Sequence, residues 1–259
     1  MADLNAYFSR IAKYIKEKRT DKQGVRTIQC PTQVNHLLRN LPISIGPDAG
    51  SGIVLREDTF IELGNPAVGS CSLLIYTNDP SIIKDGRIHL IGPDIPERPG
   101  ASLPFGEVLM VGGKDLEEDD RQALEQSRYI SDQVEGYMIR SLPEHIWSRV
   151  SKDAAKKGFR FETLGRALMA ILKTKVPKIQ AMEIVFVTSD KKDLEELKSI
   201  ASQINKITRE IQKNKWRLKG IDLDCTLDYD CGQCPDKPLC DNIREVLKIR
   251  KRQKNAHFL

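Results

Sequence analysis

Four of the six cysteines in this 259-residue chain fall inside one sixteen-residue window, as Cys225, Cys231, Cys234 and Cys240 in the spacing C-x5-C-x2-C-x5-C. A disulfide framework spreads its cysteines over a small chain, so this clustering points to metal ligation. Thiolates at this density select zinc or an iron-sulfur cluster over hard cations. The two-residue gap lets Cys231 and Cys234 turn toward one centre, with Gly232 relaxing the backbone, and Pro235 and Pro238 stiffen the loop that delivers Cys240. Zinc ribbons present two C-x2-C knuckles and this chain has one, so spacing alone leaves zinc and iron-sulfur both open. The surrounding segment, RLKGIDLDCTLDYDCGQCPDKPLC, has no apolar run able to form its own core. It therefore reads as a ligand-organised module.

Upstream, the pattern is that of an ordinary globular chain. From Gly52 to Gly113, short apolar runs punctuated by Gly and Pro (GIVLR, TFIEL, CSLLIYT, RIHLIG, EVLMVGG) predict strands. The period then turns helical: Leu124, Ser127, Ile130, Val134 and Met138 fall on one stripe, after an acidic first turn from Glu117 to Asp120 that suits the positive end of a helix dipole. A long helix is predicted there. HIWSRV predicts a strand, SKDAAKKG a short helix closed by Gly158, TLGRALMAILKTK a helix, and MEIVFVTS a buried strand. DKKDLEELKSIASQINKITREIQ predicts a long helix capped by Asp190. At the start, Leu4, Tyr7, Phe8, Ile11 and Ile15 recur at helical spacing. At the end, DNIREVLKIRKRQKN predicts a helix from Asp241 with basic residues near its negative terminus. Strands followed by mixed elements give an α+β class.

No segment approaches the roughly 18 uninterrupted apolar residues of a membrane helix, and no apolar block with a cleavage site opens the chain. No membrane association is expected, and a cytoplasmic location is. The net charge of +5 is mild, with its excess near Lys13 to Arg19 and Lys248 to Lys254. That pattern reads as solvated helix ends, and without a helix-turn-helix no nucleic-acid partner is expected. His36, His89, His145 and His257 show no catalytic spacing and read as structural or exposed. Cys30 reads as a loop thiol and Cys71 as a buried strand residue.

Four blocks, ELGNPAVGSCSLLIYT, GRIHLIGPDI, LPFGEVLMVGGKDLEEDDRQALEQ and HIWSRVSKDAAKKGFRFETLGRAL, resemble in order and wording the middle domain of acetyl-CoA synthase. That enzyme is the beta subunit of the carbon monoxide dehydrogenase/acetyl-CoA synthase complex of strict anaerobes. The resemblance runs from about Gly52 to Thr188. It divides the chain into an N-terminal helix and connecting segment (1–51), a middle domain (52–215) and a four-cysteine module with a basic C-terminal helix (216–259). In the family this domain is followed by a cysteine-rich domain holding a 4Fe-4S cubane bridged to two nickel ions. The resemblance thus favours a 4Fe-4S cluster, with zinc as the alternative. It also implies that Trp147 and Arg149, and more distantly Arg160, lie on a coenzyme A path, where guanidinium groups would hold the pyrophosphate and the indole would stack on adenine.

The chain departs from the family in three ways. The large N-terminal domain that docks on the dehydrogenase has no counterpart before Gly52, so docking through that surface is not expected of this chain. Only Cys231 and Cys234 carry over directly; Cys240 follows at a different spacing, and Cys225 stands in as a local fourth ligand. No Cys-Gly-Cys tripeptide follows Cys240, so a complete nickel centre, and nickel itself, are not expected. The resulting expectation is an electron-transfer or accessory iron-sulfur subunit in anaerobic carbon monoxide and one-carbon metabolism, with carbon monoxide dehydrogenase or another redox protein as partner. The alternatives are an acetyl-CoA synthase-type acyl or carbonyl transferase and a redox-sensing nucleic-acid-binding protein.

Overall fold

The computed structural model describes residues 5–20, 24–46, 49, 52–97, 102–128, 133–141 and 145–218, together with 237, 241 and 245. Two compact units divide the chain, one of residues 3–204 and one of Met1–Ala2 with Asn205–Leu259. The first unit carries both sheets. Of the second, helical residues 205–218 are the only continuous described stretch.

A five-stranded sheet in the order β1-β4-β9-β6-β3 forms the centre of the first unit, from β1 (Arg26–Gln29), β3 (Ser70–Thr77), β4 (Arg87–Ile91), β6 (Phe105–Gly113) and β9 (Ile179–Val187). β3 and β6 run parallel, as do β4 and β9, while β6 and β9 meet antiparallel. β6 is buried along its whole length and β9 nearly so, because helices or a second sheet cover both faces; such strands read as unbroken apolar runs.

Helix α5 (Phe161–Lys175) lies on one face of this sheet. A methyl group added at its Gly165 would lie 2.5 Å from Ile88 Cδ1, so the missing side chain is what lets the helix come this close. Phe161 meets Phe105 and Phe186 at ring-centroid distances of 5.7 and 5.0 Å, and all three rings are fully buried. Each such ring removes apolar area worth about 1.5–3 kcal/mol from water.

The other face carries α1 (Asn5–Thr20) and, through Ile204, the first part of α6 (Lys191–Leu218). Leu194 and Leu197 of α6 lie against Gly106 of β6. Helix α1 buries the predicted stripe of Tyr7, Phe8, Ile11 and Ile15, joined by Tyr14. Tyr14 donates to the Asp193 carbonyl at 3.0 Å, and Lys18 pairs with Asp193 and Glu196, each at 2.7 Å. Asp190 caps α6 as predicted, accepting from Asp193 N at 2.8 Å.

A second sheet, in the order β5-β2-β8-β7, is built from β2 (Thr59–Leu63), β5 (Ser102–Leu103), β7 (Tyr137–Ser141) and β8 (Trp147–Ser151). Ile61, Leu63, Leu103, Tyr137 and Val150 turn into the shared core. Between β8 and α5, the short helix α4 (Lys152–Lys156) starts where Ser151 accepts from Ala154 N, and the chain leaves it through Gly158 at φ +96°, a conformation that favours glycine. Short helices α2 (Val34–Leu37) and α3 (Glu118–Ser127) complete the unit. The α+β class stands.

Two predicted elements differ. The long helix over Leu124 to Met138 is the ten-residue α3, opened by a Glu117–Asp120 capping box and closed at Arg128. Val134 instead bridges Ile45, and Met138 is the ladder partner of Arg149 in β7. Long-range backbone pairing overrides the local helical period there. Ile130 lies outside the described residues, as does Leu4. GIVLR joins no ladder: Ile53 and Leu55 face outward, while Val54 turns in, its carbonyl accepting from Arg149 Nη1 at 3.4 Å. The structure also contains β1 and β5, which the apolar-run pattern did not signal.

Candidate functional site

Alternation along β8 sends Ser148 and Val150 to the core and sets Trp147 and Arg149 on the opposite face of the four-stranded sheet. Arg149 is the ladder partner of Glu62 in β2 and of Met138 in β7. Its Nε donates to Glu62 Oε1 at 2.7 Å, and the residue is only 9% exposed. Burial pushes the Glu62 carboxyl up, but hydrogen bonds from Arg149 and Asn65 and the charges of Arg149 and Arg140 outweigh it, so the group sits below the usual carboxylate range. Asn65 extends the network, with Nδ2 3.3 Å from Glu62 Oε2 and 2.7 Å from Ser102 Oγ.

Beside this network, the Arg140 guanidinium stacks over the Trp147 ring, with Cζ 4.3 Å from the centroid. Arg140 is exposed and Trp147 half-buried, and the indole Nε1 is buried without a protein partner among the described residues. The face thus offers an exposed cation held over an aromatic ring. Such a pair can take an anionic group on the guanidinium and a planar group at the indole edge. Arg149 differs: its guanidinium is already committed to Glu62 and the Val54 carbonyl.

Arg160, the third predicted residue, occupies another setting. It is the N-cap residue of α5, is exposed, and its charge helps lower the Glu97 carboxyl, after the hydrogen bonds from Arg26 and from the Asp94 backbone. Trp147 and Arg149 share one face of one strand, whereas Arg160 belongs to the corner with Arg26 and Glu97. The sequence pattern does not single out Arg140, because the helical stripe that runs to Met138 leaves YMIRS without a strand signal. Reading YMIRS as a strand would have put Arg140 on the same face as Met138, and so beside Trp147.

Cys225, Cys231, Cys234 and Cys240 lie outside the described residues, as does most of the predicted helix after Asp241. Among the described residues, no group of three or more His, Cys, Asp or Glu could hold a metal ion. Cys30 and Cys71 are buried on different elements, and burial together with nearby Glu162 pushes the Cys30 thiol up to about 11, against the thiolate form a metal requires. The described body therefore does not fit a metal centre. His89 is buried between Thr27 Oγ1 at 2.9 Å and Glu183 Oε1 at 2.8 Å, a structural setting as expected. Among the described residues, no helix is long and apolar enough to cross a membrane.

Residues 41–193 match the model of the family described as CO dehydrogenase/acetyl-CoA synthase complex beta subunit. The chain is 31% identical over 223 residues to the acetyl-CoA decarbonylase/synthase complex subunit beta of Methanopyrus kandleri, covering 80% of this chain and 46% of that one. It is 32% identical over 203 residues to subunit beta 1 of Methanosarcina mazei, covering 76% and 41%. With the carbon monoxide dehydrogenase/acetyl-CoA synthase subunit alpha of Moorella thermoacetica it shares 32% identity over 201 residues, covering 75% and 26%. The chain thus spans less than half the length of each of these relatives.

These matches correct the cofactor expectation. A 4Fe-4S cluster or zinc without nickel was expected because no Cys-Gly-Cys tripeptide follows Cys240. The family, however, is the one whose beta subunits carry nickel, and setting nickel aside conflicts with it. The absence of one local tripeptide is too narrow a ground, because metal ligands converge in space rather than in sequence. The match covers more than half of the chain, and so the protein belongs to the CO dehydrogenase/acetyl-CoA synthase complex beta-subunit family.

Proposed function

We propose that this chain serves carbon monoxide and one-carbon metabolism of the acetyl-CoA pathway as an accessory or electron-transfer subunit, working with a carbon monoxide dehydrogenase or a similar redox protein in the cytoplasm. The observation that carries the reading is the family match over residues 41–193. It is supported by the relatives' printed names, two of which are subunits of an acetyl-CoA decarbonylase/synthase complex.

Within this role, the middle domain binds coenzyme A on the outer face of the four-stranded sheet. Trp147 is the stacking platform, the exposed Arg140 above it is the anion-binding guanidinium, Arg149 holds the face rigid through Glu62, and Arg160 is a second cation for the ligand's far end. Cys225, Cys231, Cys234 and Cys240 form the metal-holding set of a separate C-terminal module. Acyl or carbonyl transfer is the second reading, and the family's nickel favours it.

Calorimetry with coenzyme A and the full chain tests the ligand assignment. Binding should weaken at least tenfold in Arg140→Ala and in Trp147→Ala and fall with added salt. Equal affinity in both variants and the unmodified protein would remove the assignment. Anaerobic sedimentation with a carbon monoxide dehydrogenase tests the partner: co-migration is expected, and separate boundaries at micromolar concentration would overturn it.

A further inference from the structure

The largely apolar core shared by the two sheets holds a cluster of buried polar side chains. Glu107 of β6 is 3% exposed and stands directly opposite Ser72 of β3, on the sheet face that also carries Phe186. Arg128, at the end of α3, reaches the same spot: its Nη2 donates to Ser72 Oγ and its Nη1 lies 3.1 Å from Glu125 Oε2. From the second sheet come Tyr137 of β7 and Ser148 of β8, both fully buried, and Tyr137 is close enough to Glu107 to feel its charge.

Three polar atoms of this cluster, Arg128 Nε, Tyr137 Oη and Ser148 Oγ, are buried without a protein hydrogen-bond partner among the described residues. Ser148 sits close enough to Tyr137 for a hydroxyl contact that favours the ionised phenol, yet the two oxygens fall short of good hydrogen-bond geometry, so both keep unmet bonding capacity. Leaving three such groups unbonded would forfeit a large share of a domain's net stability, so native cores supply partners. The donor set is mixed. Arg128 Nε only donates, and the two hydroxyls both donate and accept. Phe159 stacks on Tyr137 at a centroid distance of 6.0 Å.

We infer that the seam between the two sheets is a built internal water site, in which Tyr137, Ser148 and Arg128 hold ordered water against Glu107 and Ser72. A water molecule satisfies two to four polar partners at once and matches a site that both donates and accepts. Ser148 lies between Trp147 and Arg149 on β8, so this water backs the strand whose other face carries the proposed coenzyme A platform.

Oxygen-17 magnetic relaxation dispersion on the full chain counts long-lived internal water. The Tyr137→Phe/Ser148→Ala variant keeps the ring on Phe159 and removes both hydroxyls. Loss of at least one long-lived water relative to the unmodified protein is the expected result, and an unchanged count overturns the site. Should the double variant fail to fold, a crystal structure of the unmodified chain decides. Density within hydrogen-bond distance of Tyr137 Oη and Ser148 Oγ supports the site, and a direct bond between the two hydroxyls with no density beside them overturns it.

Discussion

Arg149 and Glu62 face each other across the antiparallel β2–β8 pair, with Arg149 Nε 2.7 Å from Glu62 Oε1, although 87 residues separate them in sequence. The pair fixes the strand behind Trp147 and leaves Arg140 as the guanidinium open to solvent.

Replacing Arg149 by Ala leaves the Glu62 carboxylate half-desolvated and short of its strongest donor. Charge-assisted hydrogen bonds of this kind contribute about 1.5–3 kcal/mol, so a loss of about 2 kcal/mol is expected in urea unfolding. Arg149→Ala/Glu62→Gln should recover part of it, because no charge is then stranded. A single-variant loss below about 0.5 kcal/mol would show that the pair is solvent-screened and idle.

Gly165→Ala sets two effects against each other. Alanine gains up to about 1 kcal/mol of helix propensity over glycine, while the new methyl would lie 2.5 Å from Ile88 Cδ1 and overpack the interface at about 1–3 kcal/mol. A net loss of about 1 kcal/mol is expected from thermal unfolding. A stabilised variant would mean that Ile88 changes rotamer freely.

Glu107 should give stability a pH dependence. Burial pushes its carboxyl up to about 7 despite the opposing charge of Arg128 and a hydrogen bond from Ser72. The folded state thus holds a proton that the unfolded chain releases near its ordinary value of 4.5. Its contribution is complete below pH 4.5, declines as pH rises, and is gone above 7, a span of about 3 kcal/mol. Glu107→Gln, which stays neutral, should flatten this decline in denaturant midpoints measured from pH 5 to 8. An unchanged slope in the variant would assign the dependence to other groups.

The cysteine module is tested by metal content in protein purified without oxygen, with iron, nickel and zinc each measured. Cys231→Ser or Cys234→Ser should remove most of the bound metal. Cys30→Ser should leave it, since that thiol is buried near Glu162 and Arg166 and held protonated. Metal loss in the Cys30 variant would redraw the ligand set.

Much of the described fold was legible because its elements carry strong periodic signals. The apolar runs of β3, β4, β6 and β9, the stripe of α1, the short helix closed by Gly158 and the cap at Asp190 are local facts that tertiary context did not overturn. β1 escaped notice because its residues alternate between half-buried and exposed, leaving no apolar run, and β5 because it is two residues long. β7 is masked in the sequence because Leu124, Val134 and Met138 fall at helical spacing, while the ladder to β8 outweighs that weak period.

The sequence by itself determined the family and the α+β class, since these reside in chain order and residue type. Only the tertiary structure decided that Arg149 is spoken for by Glu62, that Arg140 covers Trp147, and that Glu107, Arg128, Tyr137 and Ser148 converge between two sheets. Those relationships join residues far apart in the chain. They depend on strand register, which is set by the packing of whole faces rather than by any local run of residues.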